Sequence, residues 1–159
     1  MPLTIRSSVF EQGSAIPRLH TCDDKDLSPP LEWSDPPGNA RSFALIVDDP
    51  DAPDPAAPTR VYVHWVLYDL PASVTSIQED GEQDAVKAGA RQGKNDWSRT
   101  GYGGPCPPIG RHRYFFKLYA LDAMLGDLGT PTKKELEKAI QGHIVAQAEL
   151  MGTYQRGER

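Results

Sequence analysis

The sequence predicts a mostly β fold, a sandwich of two sheets with one or two short helices. Two segments, Val61–Leu70 and His112–Ala120, alternate as strands do, since successive strand side chains point to opposite faces. The 159 residues include 15 prolines and 14 glycines, which favours strands joined by shaped loops over a helical bundle. This length fits one domain. We therefore expect a single domain over residues 1–159, built from two packed sheets.

The first third of the chain is predicted to contain two strands. Leu3–Val9 is a candidate first strand. Residues 13–38 are predicted to be a loop because prolines and glycines interrupt them. Ser42–Asp48 is a short continuous apolar run, typical of strands that are buried on both faces. It is predicted to stop at an acidic, proline-rich loop over residues 48–55.

The middle of the chain is predicted to contain one long strand followed by irregular structure. Strict alternation places Val61, Val63, Trp65 and Leu67 on one face of this strand, and Tyr62, His64, Val66 and Tyr68 on the other. His64 is then a mid-strand residue among apolar and aromatic neighbours. The polar stretch over residues 72–95 is predicted to be irregular.

The last third is predicted to contain a strand, a helix and a strand. Alternation from His112 to Ala120 places His112 and Tyr114 side by side on one sheet face. Thr132 and Glu135 have the spacing of a capping box, so a helix is expected to run to about Ile140 and to end near Gly142. Residues 144–154 alternate again and predict a strand, with a continued helix as the alternative because Ala, Gln, Glu and Leu favour helix.

Composition limits the partners and the location of the protein. The net charge of −5 argues against nucleic acid, which needs a basic face. No apolar run approaches the ~20 residues of a membrane helix, and the N-terminal residues lack the apolar core of a secretory signal. We therefore expect no transmembrane segment and a cytoplasmic location. Cys22 and Cys106 show no metal-site spacing, and a disulfide between them and two free thiols remain alternatives.

The strongest functional signal is the loop before His112, which concentrates glycine and proline over residues 101–110. Glycine lets the backbone approach a ligand closely, and proline stiffens the loop around it. A rigid loop that presents a histidine at the mouth of a strand is a common way to build a small preformed pocket. A tight structural connection without a ligand is the alternative interpretation.

Three segments are suited to converge on this pocket: the acidic loop with Asp49, the strand with His64, and the loop with His112. Imidazoles titrate near pH ~6.5, and a neighbouring carboxylate fixes their orientation. We expect His64 and His112 to donate hydrogen bonds to a phosphate or carboxylate group, and loop amides near Gly104 to complete the site. Asp49 is expected to orient a histidine or to meet an ammonium group.

Each of these signals has a structural alternative. A single mid-strand histidine such as His64 is often a hydrogen-bonded core residue. The acidic residues over 48–54 are also ordinary turn residues. His20 and His143 have no partner in view, and we expect them to be structural or exposed.

Two enzyme hypotheses stay open from the sequence. Asp49, His64 and His112 have the residue types of a two-histidine, one-carboxylate metal site. Alternatively, Cys106 is a nucleophile with His64 or His112 as its base and Asp49 as the orienting group. Sequence spacing tests neither geometry. Our expectation is a binding module with no catalytic residues, no metal and no cofactor.

Several blocks, in order along nearly the whole chain, together resemble the phosphatidylethanolamine-binding protein family, the family of the Raf kinase inhibitor protein, in its bacterial and archaeal branch. They are Thr21-Cys22-Asp23, Ser28-Pro29-Pro30-Leu31-Glu32-Trp33, Asp48-Asp49-Pro50-Asp51-Ala52-Pro53, His64-Trp65-Val66-Leu67-Tyr68, residues 101–108 and His112-Arg113-Tyr114-Phe115-Phe116. Each block alone is a weak signal, but all of them together are specific.

The resemblance implies an antiparallel β-sandwich with a small anion pocket at one end. Carried over to this sequence, the ligand-binding residues are Asp49, Asp51, His64, Gly104, Pro105, His112 and Tyr114. For Asp51, the alternative is that it braces the loop. The resemblance also implies phosphate-like ligands, such as phosphoethanolamine head groups, or small anions such as acetate. It further suggests a cis bond at Ala52-Pro53.

The resemblance leaves several functional hypotheses. The first is a small-anion or phosphate-group binding protein, related to lipid binders. The second is regulation by contact with a partner, which would be a protein kinase or a protease. A hydrolase that uses Cys106 or a His/Asp metal site is the alternative from another class. Bacterial relatives are often dimers, so a homodimer is also expected.

Overall fold

The computed structural model describes residues 2–157, so residues 1, 158 and 159 of the predicted domain lie outside the described residues. In chain order, the elements are β1 (Thr4–Arg6), β2 (Leu31–Ser34), β3 (Ser42–Ala52), β4 (Arg60–Pro71), β5 (Ser76–Ile77), α1 (Glu82–Lys87), β6 (Arg91–Gln92), β7 (His112–Leu121), α2 (Lys133–Ile140) and β8 (Ile144–Tyr154). These strands pair antiparallel in a three-stranded sheet, β1-β2-β5, and a five-stranded sheet, β6-β4-β3-β7-β8. The predicted mostly β, two-sheet fold with two short helices is confirmed.

The main core lies between the two sheets. Leu31 and Trp33 of the small sheet pack with Phe43, Leu45 and Val47 of β3 in one buried cluster. The opposite face of the large sheet is covered by α2, whose buried residues Leu136 and Ile140 pack on Ala44 and Ile46. β3 is therefore buried on both faces, as its continuous apolar run predicts.

The helix and strand predicted for the last third are confirmed. The Thr132 hydroxyl accepts a hydrogen bond from the Glu135 amide at 3.2 Å, and the Glu135 carboxylate accepts one from the Thr132 amide at 2.9 Å. The alternative of a continued helix is wrong, because β8 pairs with β7 from Ile144 to Tyr154. Neither α-helix of residues 2–157 has the length and apolar character that crossing a bilayer requires.

Two stretches predicted to be irregular contain short elements. Residues 13–38 include a 3₁₀ turn at Arg18–His20 and the strand β2, which begins directly after Pro30. Residues 72–95 include β5, α1 and β6. These elements are two to six residues long, too short for a hydrophobic period to stand out in the sequence.

β3 is longer than predicted, and this places the acidic residues in a strand. It continues through Asp48 and Asp49 to Ala52, and its pairing with β4 is irregular between Asp49 and Ala52. Pro50, which has no N–H to donate, falls within that irregular stretch. The first strand is shorter than predicted and spans only Thr4–Arg6.

The predicted faces of β4 are wrong because the strand contains a bulge at His64. Val47 pairs with Trp65 while Asp48 pairs with Val63, so His64 is an extra residue without a partner in β3. Beyond the bulge the faces exchange: Trp65 joins the core between the sheets, and Val66 joins Val63 on the side of α2. The bulge therefore decides where the His64 side chain lies.

Candidate ligand-binding site

A cavity of about 370 Å³ opens where the ends of β3, β4 and β7 meet the loop over residues 97–108. Its lining is largely aromatic and proline-rich, with a small number of polar groups. The lining residues are Asp49, Ala52, Pro53, Arg60, Tyr62, His64, Trp97, Cys106, Pro107, Pro108, His112 and Tyr114. Apolar walls with a few placed polar groups, in a volume of this size, are typical of small-molecule sites.

The structure brings together four of the seven residues predicted for this site, namely Asp49, His64, His112 and Tyr114. They come from three neighbouring strands of the large sheet. All four are at most 3% exposed. The predicted convergence of two histidines and an acid on one hollow is therefore present in the geometry.

His112 is fully engaged by oxygen atoms. Its Nδ1 lies 2.6 Å from Asp49 Oδ2, and its Nε2 lies 3.1 Å from the carbonyl oxygen of Pro53 and 2.9 Å from that of Ile109. Both ring nitrogens are therefore used inside the protein: Nε2 donates to carbonyl oxygens, and Nδ1 pairs with the Asp49 carboxyl group. Asp49 orients His112, as one of its two predicted roles requires.

His64 has one nitrogen engaged and one available. Its Nδ1 donates to the carbonyl oxygen of Gly103 at 2.7 Å, while Nε2 has no hydrogen-bond partner among residues 2–157. The rings of Tyr62, Trp97 and Tyr114 meet the imidazole edge to face, with centres 5.1–5.4 Å away. Burial lowers the pKa of His64, because the charged ring would lose its hydration. The neutral ring therefore presents an acceptor at Nε2.

The Tyr114 hydroxyl is a buried polar group at the cavity. It is buried and makes no hydrogen bond within the described chain. Burial and, after it, the nearby charge of Asp49 raise the pKa of Tyr114. A buried hydroxyl without a partner costs about 1–3 kcal/mol, so this group is poised to bond to something that enters the cavity.

The mouth of the cavity contains three residues that the sequence interpretation missed: Arg60, Tyr62 and Trp97. The Arg60 guanidinium stacks on the Tyr62 ring at 4.7 Å and pairs with Asp96 at 3.1 Å. Trp97 is 37% exposed, which is unusual for so large an apolar side chain. Strand alternation was the available signal, because Arg60, Tyr62 and His64 are spaced two residues apart.

Asp51, Gly104 and Pro105 lie outside the lining of the cavity. Asp51 accepts three hydrogen bonds from Arg113, from the backbone amide, Nε and Nη2, so it braces the end of β3 against β7. The Gly104 amide donates to Asp26 at 2.8 Å, and the Pro105 carbonyl accepts from the Cys22 amide. The expected cradle of loop amides near Gly104 is therefore wrong for this amide, which is already used inside the protein.

Gly104 has a structural reason instead. A Cβ at this position would lie 2.2 Å from the His20 carbonyl oxygen and 2.3 Å from Asp26 Oδ1, closer than any real contact. The chain segment around His20 packs directly on this loop, and the Tyr102 hydroxyl donates to the same carbonyl oxygen at 2.7 Å. The glycine is needed for the close approach of two backbones rather than for a ligand.

Cys22 and Cys106 form a disulfide. Of the two alternatives left by the sequence, the bonded form is therefore the one in the structure. Cys106 lines the cavity but has no thiol, so the hypothesis of a Cys106 nucleophile is wrong for this form of the protein. The bond instead ties the loop that carries Gly103 to the segment after His20. The expected cis bond at Ala52-Pro53 is confirmed.

The remaining histidines are structural or exposed, as expected. His20 is buried and its Nδ1 lies 2.9 Å from the Leu27 carbonyl oxygen, while His143 lies at the surface beside Asp122. Across residues 2–157, no group of three or more His, Cys, Asp or Glu side chains has the arrangement of a metal site.

Comparison with known proteins identifies the family. The sequence pattern of the phosphatidylethanolamine-binding protein family matches residues 6–155. The chain belongs to this family. It is also 42% identical to a UPF0098 protein of Methanothermobacter thermautotrophicus over 156 residues, which cover 98% of this chain and all of the relative. This UPF0098 protein is therefore a relative of the chain over its full length.

Two solved structures of the phosphatidylethanolamine-binding protein family have the same fold. A homologue from Chlamydia trachomatis superposes with a TM-score of 0.89 at 41% identity, covering 98% of each chain. Escherichia coli YbcL, described as a member of the mammalian family, superposes with a TM-score of 0.85 at 31% identity and covers 98% of this chain and 99% of YbcL. The likeness thus extends over the whole sandwich, including the strands that carry the cavity.

Proposed function

We propose that this protein binds a small ligand through an acidic group, a phosphate or a carboxylate, in the cavity between β3, β4 and β7. The buried Tyr114 hydroxyl without a partner is the observation that carries the proposal. The ligand's oxygen accepts a hydrogen bond from this hydroxyl and lies beside His64 Nε2. Arg60, whose guanidinium is paired with Asp96, lies at the mouth beside the outer part of the ligand.

The rest of the ligand is expected to be small, with carbon atoms directly next to the acidic group. The lining includes the prolines at 53, 107 and 108 and the rings of Tyr62 and Trp97. Apolar and aromatic surface favours a hydrocarbon substituent next to the acidic group. Phosphoethanolamine, the head group suggested by the family's name, is small enough to enter and is a suitable first probe.

The proposal is tested by isothermal titration calorimetry with phosphoethanolamine. We expect Tyr114→Phe to weaken binding about tenfold, since one hydrogen bond to a charged oxygen is lost. Tyr119→Phe is the matched control, because Tyr119 lies on the other side of the large sheet and should bind as the wild type does. His64→Ala should also weaken binding, and binding unchanged in both cavity variants would refute the proposal.

We propose binding alone, without catalysis and without a specific regulatory partner. Nothing in the geometry of residues 2–157 singles out a protein kinase or a protease as the partner, so modulation of such an enzyme stays a prediction. A homodimer and a cytoplasmic location also stay predictions. The disulfide bears on the location, since such bonds persist mainly in oxidising compartments. Counting thiols in protein alkylated during cell lysis would test whether the bond is present in the cell.

A further inference from the structure

The cavity offers an acidic ligand fewer donors than its two histidines suggest. Both His112 nitrogens already bond to oxygens of Asp49, Pro53 and Ile109. His64 Nδ1 already bonds to the Gly103 carbonyl oxygen. Among the buried polar side chains of the cavity, the atoms without a partner within residues 2–157 are the Tyr114 hydroxyl, which donates, and His64 Nε2, which in the neutral ring is a lone pair.

The orientation of the His64 ring is fixed from several sides. The contact of Nδ1 with a carbonyl oxygen requires the proton to be on Nδ1, because two acceptors do not bond to each other. Three aromatic rings hold the imidazole edge to face, and the Gly103 amide donates back to the His64 carbonyl oxygen at 3.0 Å. Moving the proton from Nδ1 to Nε2 would place the lone pair of Nδ1 against the Gly103 oxygen. The other neutral tautomer therefore cannot donate to the ligand without losing the bond to Gly103.

The charges around the cavity do not compensate for this lone pair. Asp49 and His112 neutralise each other, and Arg60 at the mouth is paired with Asp96. The titratable and charged groups around the His64 ring are Asp49 of β3, Arg60 and Tyr62 of β4, His112 and Tyr114 of β7, and Asp96 and Arg99 of the loop after β6. Asp48 of β3 also acts on the ring by its charge, but its carboxylate bonds to Lys117 and Lys133. A fully ionised acid in this cavity would meet a lone pair and a nearby carboxylate.

We propose that the site binds an acidic group together with one proton, held between His64 Nε2 and the ligand oxygen. This inference rests on the proposed function and specifies the form of the ligand that is bound. A phosphate monoester would bind as its monoanion, with its hydroxyl donating to Nε2. An acid that cannot be protonated would bind by protonating the ring, which then donates from Nδ1 to Gly103 and from Nε2 to the ligand.

The position of the proton has a measurable consequence. Burial lowers the pKa of His64, so the empty site is neutral at His64 above about pH 7. A phosphate monoester is mostly a dianion above about pH 7, since its second pKa is about 6. Binding at about pH 8 must then take up a proton from solution, whereas binding of the monoanion near pH 5 takes up little.

The experiment is calorimetry of the wild-type protein with phosphoethanolamine in buffers of different ionisation enthalpy. At about pH 8, the dependence of the binding enthalpy on the buffer should give an uptake of about one proton. The dissociation constant should rise about tenfold for each pH unit above about pH 7, since one proton is linked to binding. Binding with no proton uptake and a constant affinity from about pH 6 to pH 8 would overturn the inference and leave the proposed function intact.

Methyl sulfate separates the two positions of the proton, because this ester stays ionised throughout the range. The wild type should still take up about one proton at about pH 8, now on the ring. His64→Gln should bind methyl sulfate, if at all, with no proton uptake, and a thermal melt would show whether this variant is folded. Proton uptake that persists in folded His64→Gln would refute the assignment to His64.

Tyr114→Phe is the control for a merely structural effect. It should weaken binding about tenfold but keep the uptake of about one proton, since it removes a donor and leaves Nε2 in place. Loss of proton uptake in this variant would contradict the inference. Absence of binding for every probe at every pH would overturn the proposed function itself, and the inference with it.

Discussion

The β7 wall and the β4 wall of the cavity each present one buried histidine, but the two rings are held in different ways. On β7, His112 bonds through both nitrogens to Asp49 and to two carbonyl oxygens. On β4, His64 bonds through one nitrogen to Gly103 and leaves the other facing the cavity. The difference teaches that a buried histidine with both nitrogens bonded holds segments of the protein together, whereas one with a single bonded nitrogen keeps a polar atom available at the cavity.

The largest expected effect is on the β7 wall, in the variant His112→Ala. Removal of the His112 imidazole leaves the Asp49 carboxylate buried without its partner. Breaking a buried pair in this way lowers the free energy of unfolding by about 3–5 kcal/mol. Urea denaturation followed by tryptophan fluorescence measures the loss. His143→Ala, which removes a surface histidine paired with Asp122, is the matched control and should change stability by less than about 1 kcal/mol. Equal losses in the two variants would show that His112 is not structural.

The next largest effect concerns the loop that orients His64. The disulfide joins residues separated by 84 positions, and removing a bond across so long a loop costs about 2–4 kcal/mol. We expect the double variant Cys22→Ser, Cys106→Ser to lose this much stability in urea denaturation. Imidazole NMR signals of His64 should move, while those of His112 should stay, since Asp49 holds the latter. Movement of the His112 signals alone would contradict the claim that the loop with Gly103 and Cys106 orients His64.

A smaller effect is expected in the pH dependence of stability, to which His64 on the β4 wall contributes. Because burial lowers the pKa of His64, the unfolded chain takes up a proton at this residue before the folded chain does. The contribution of neutral His64 to the free energy of unfolding is therefore complete above about pH 6.5. It is lost as the pH falls toward the folded-state pKa, and the free energy of unfolding then changes by up to about 1.4 kcal/mol per pH unit. Thermal melts of the ligand-free protein from about pH 7 to pH 5 measure it. His64→Gln should remove this part of the slope, and an identical slope in the variant would disprove the prediction.

The smallest effect is expected outside the cavity, at Asp51. Hydrogen bonds from Arg113 lower the pKa of Asp51. The ionised Asp51 therefore stabilises the folded protein above about pH 4, and this stabilisation is lost as the pH falls through the pKa of Asp51 in the folded state. Arg113 is half exposed, so solvent screens the pair, and Asp51→Asn should cost about 1 kcal/mol or less at neutral pH. Acid unfolding monitored by circular dichroism should be less steep below about pH 4 in this variant than in the control Asp54→Asn. A curve that matches the control would show that the pair with Arg113 contributes nothing.

Much of the fold could be predicted from local patterns. Strand alternation placed His112 and Tyr114 on one face of β7, and both line the cavity. The spacing of Thr132 and Glu135 predicted the start of α2, and alternation predicted β8 over residues 144–154. These predictions succeeded because the geometry of a strand or a helix repeats over a few residues and leaves its period in the sequence.

The tertiary structure decided which groups the site has free. The bulge at His64, the bond between residues 22 and 106, and the use of the Gly104 amide by Asp26 all depend on partners far away in the sequence. The Asp49–His112 pair likewise joins residues 63 positions apart. The sequence by itself determined the long strands β3, β4, β7 and β8, the helix α2 and the types of residue at the cavity, because these follow from local backbone periodicity. Only the register between strands and the packing of loops decided which hydrogen-bonding atoms are already satisfied, because that depends on contacts between distant segments.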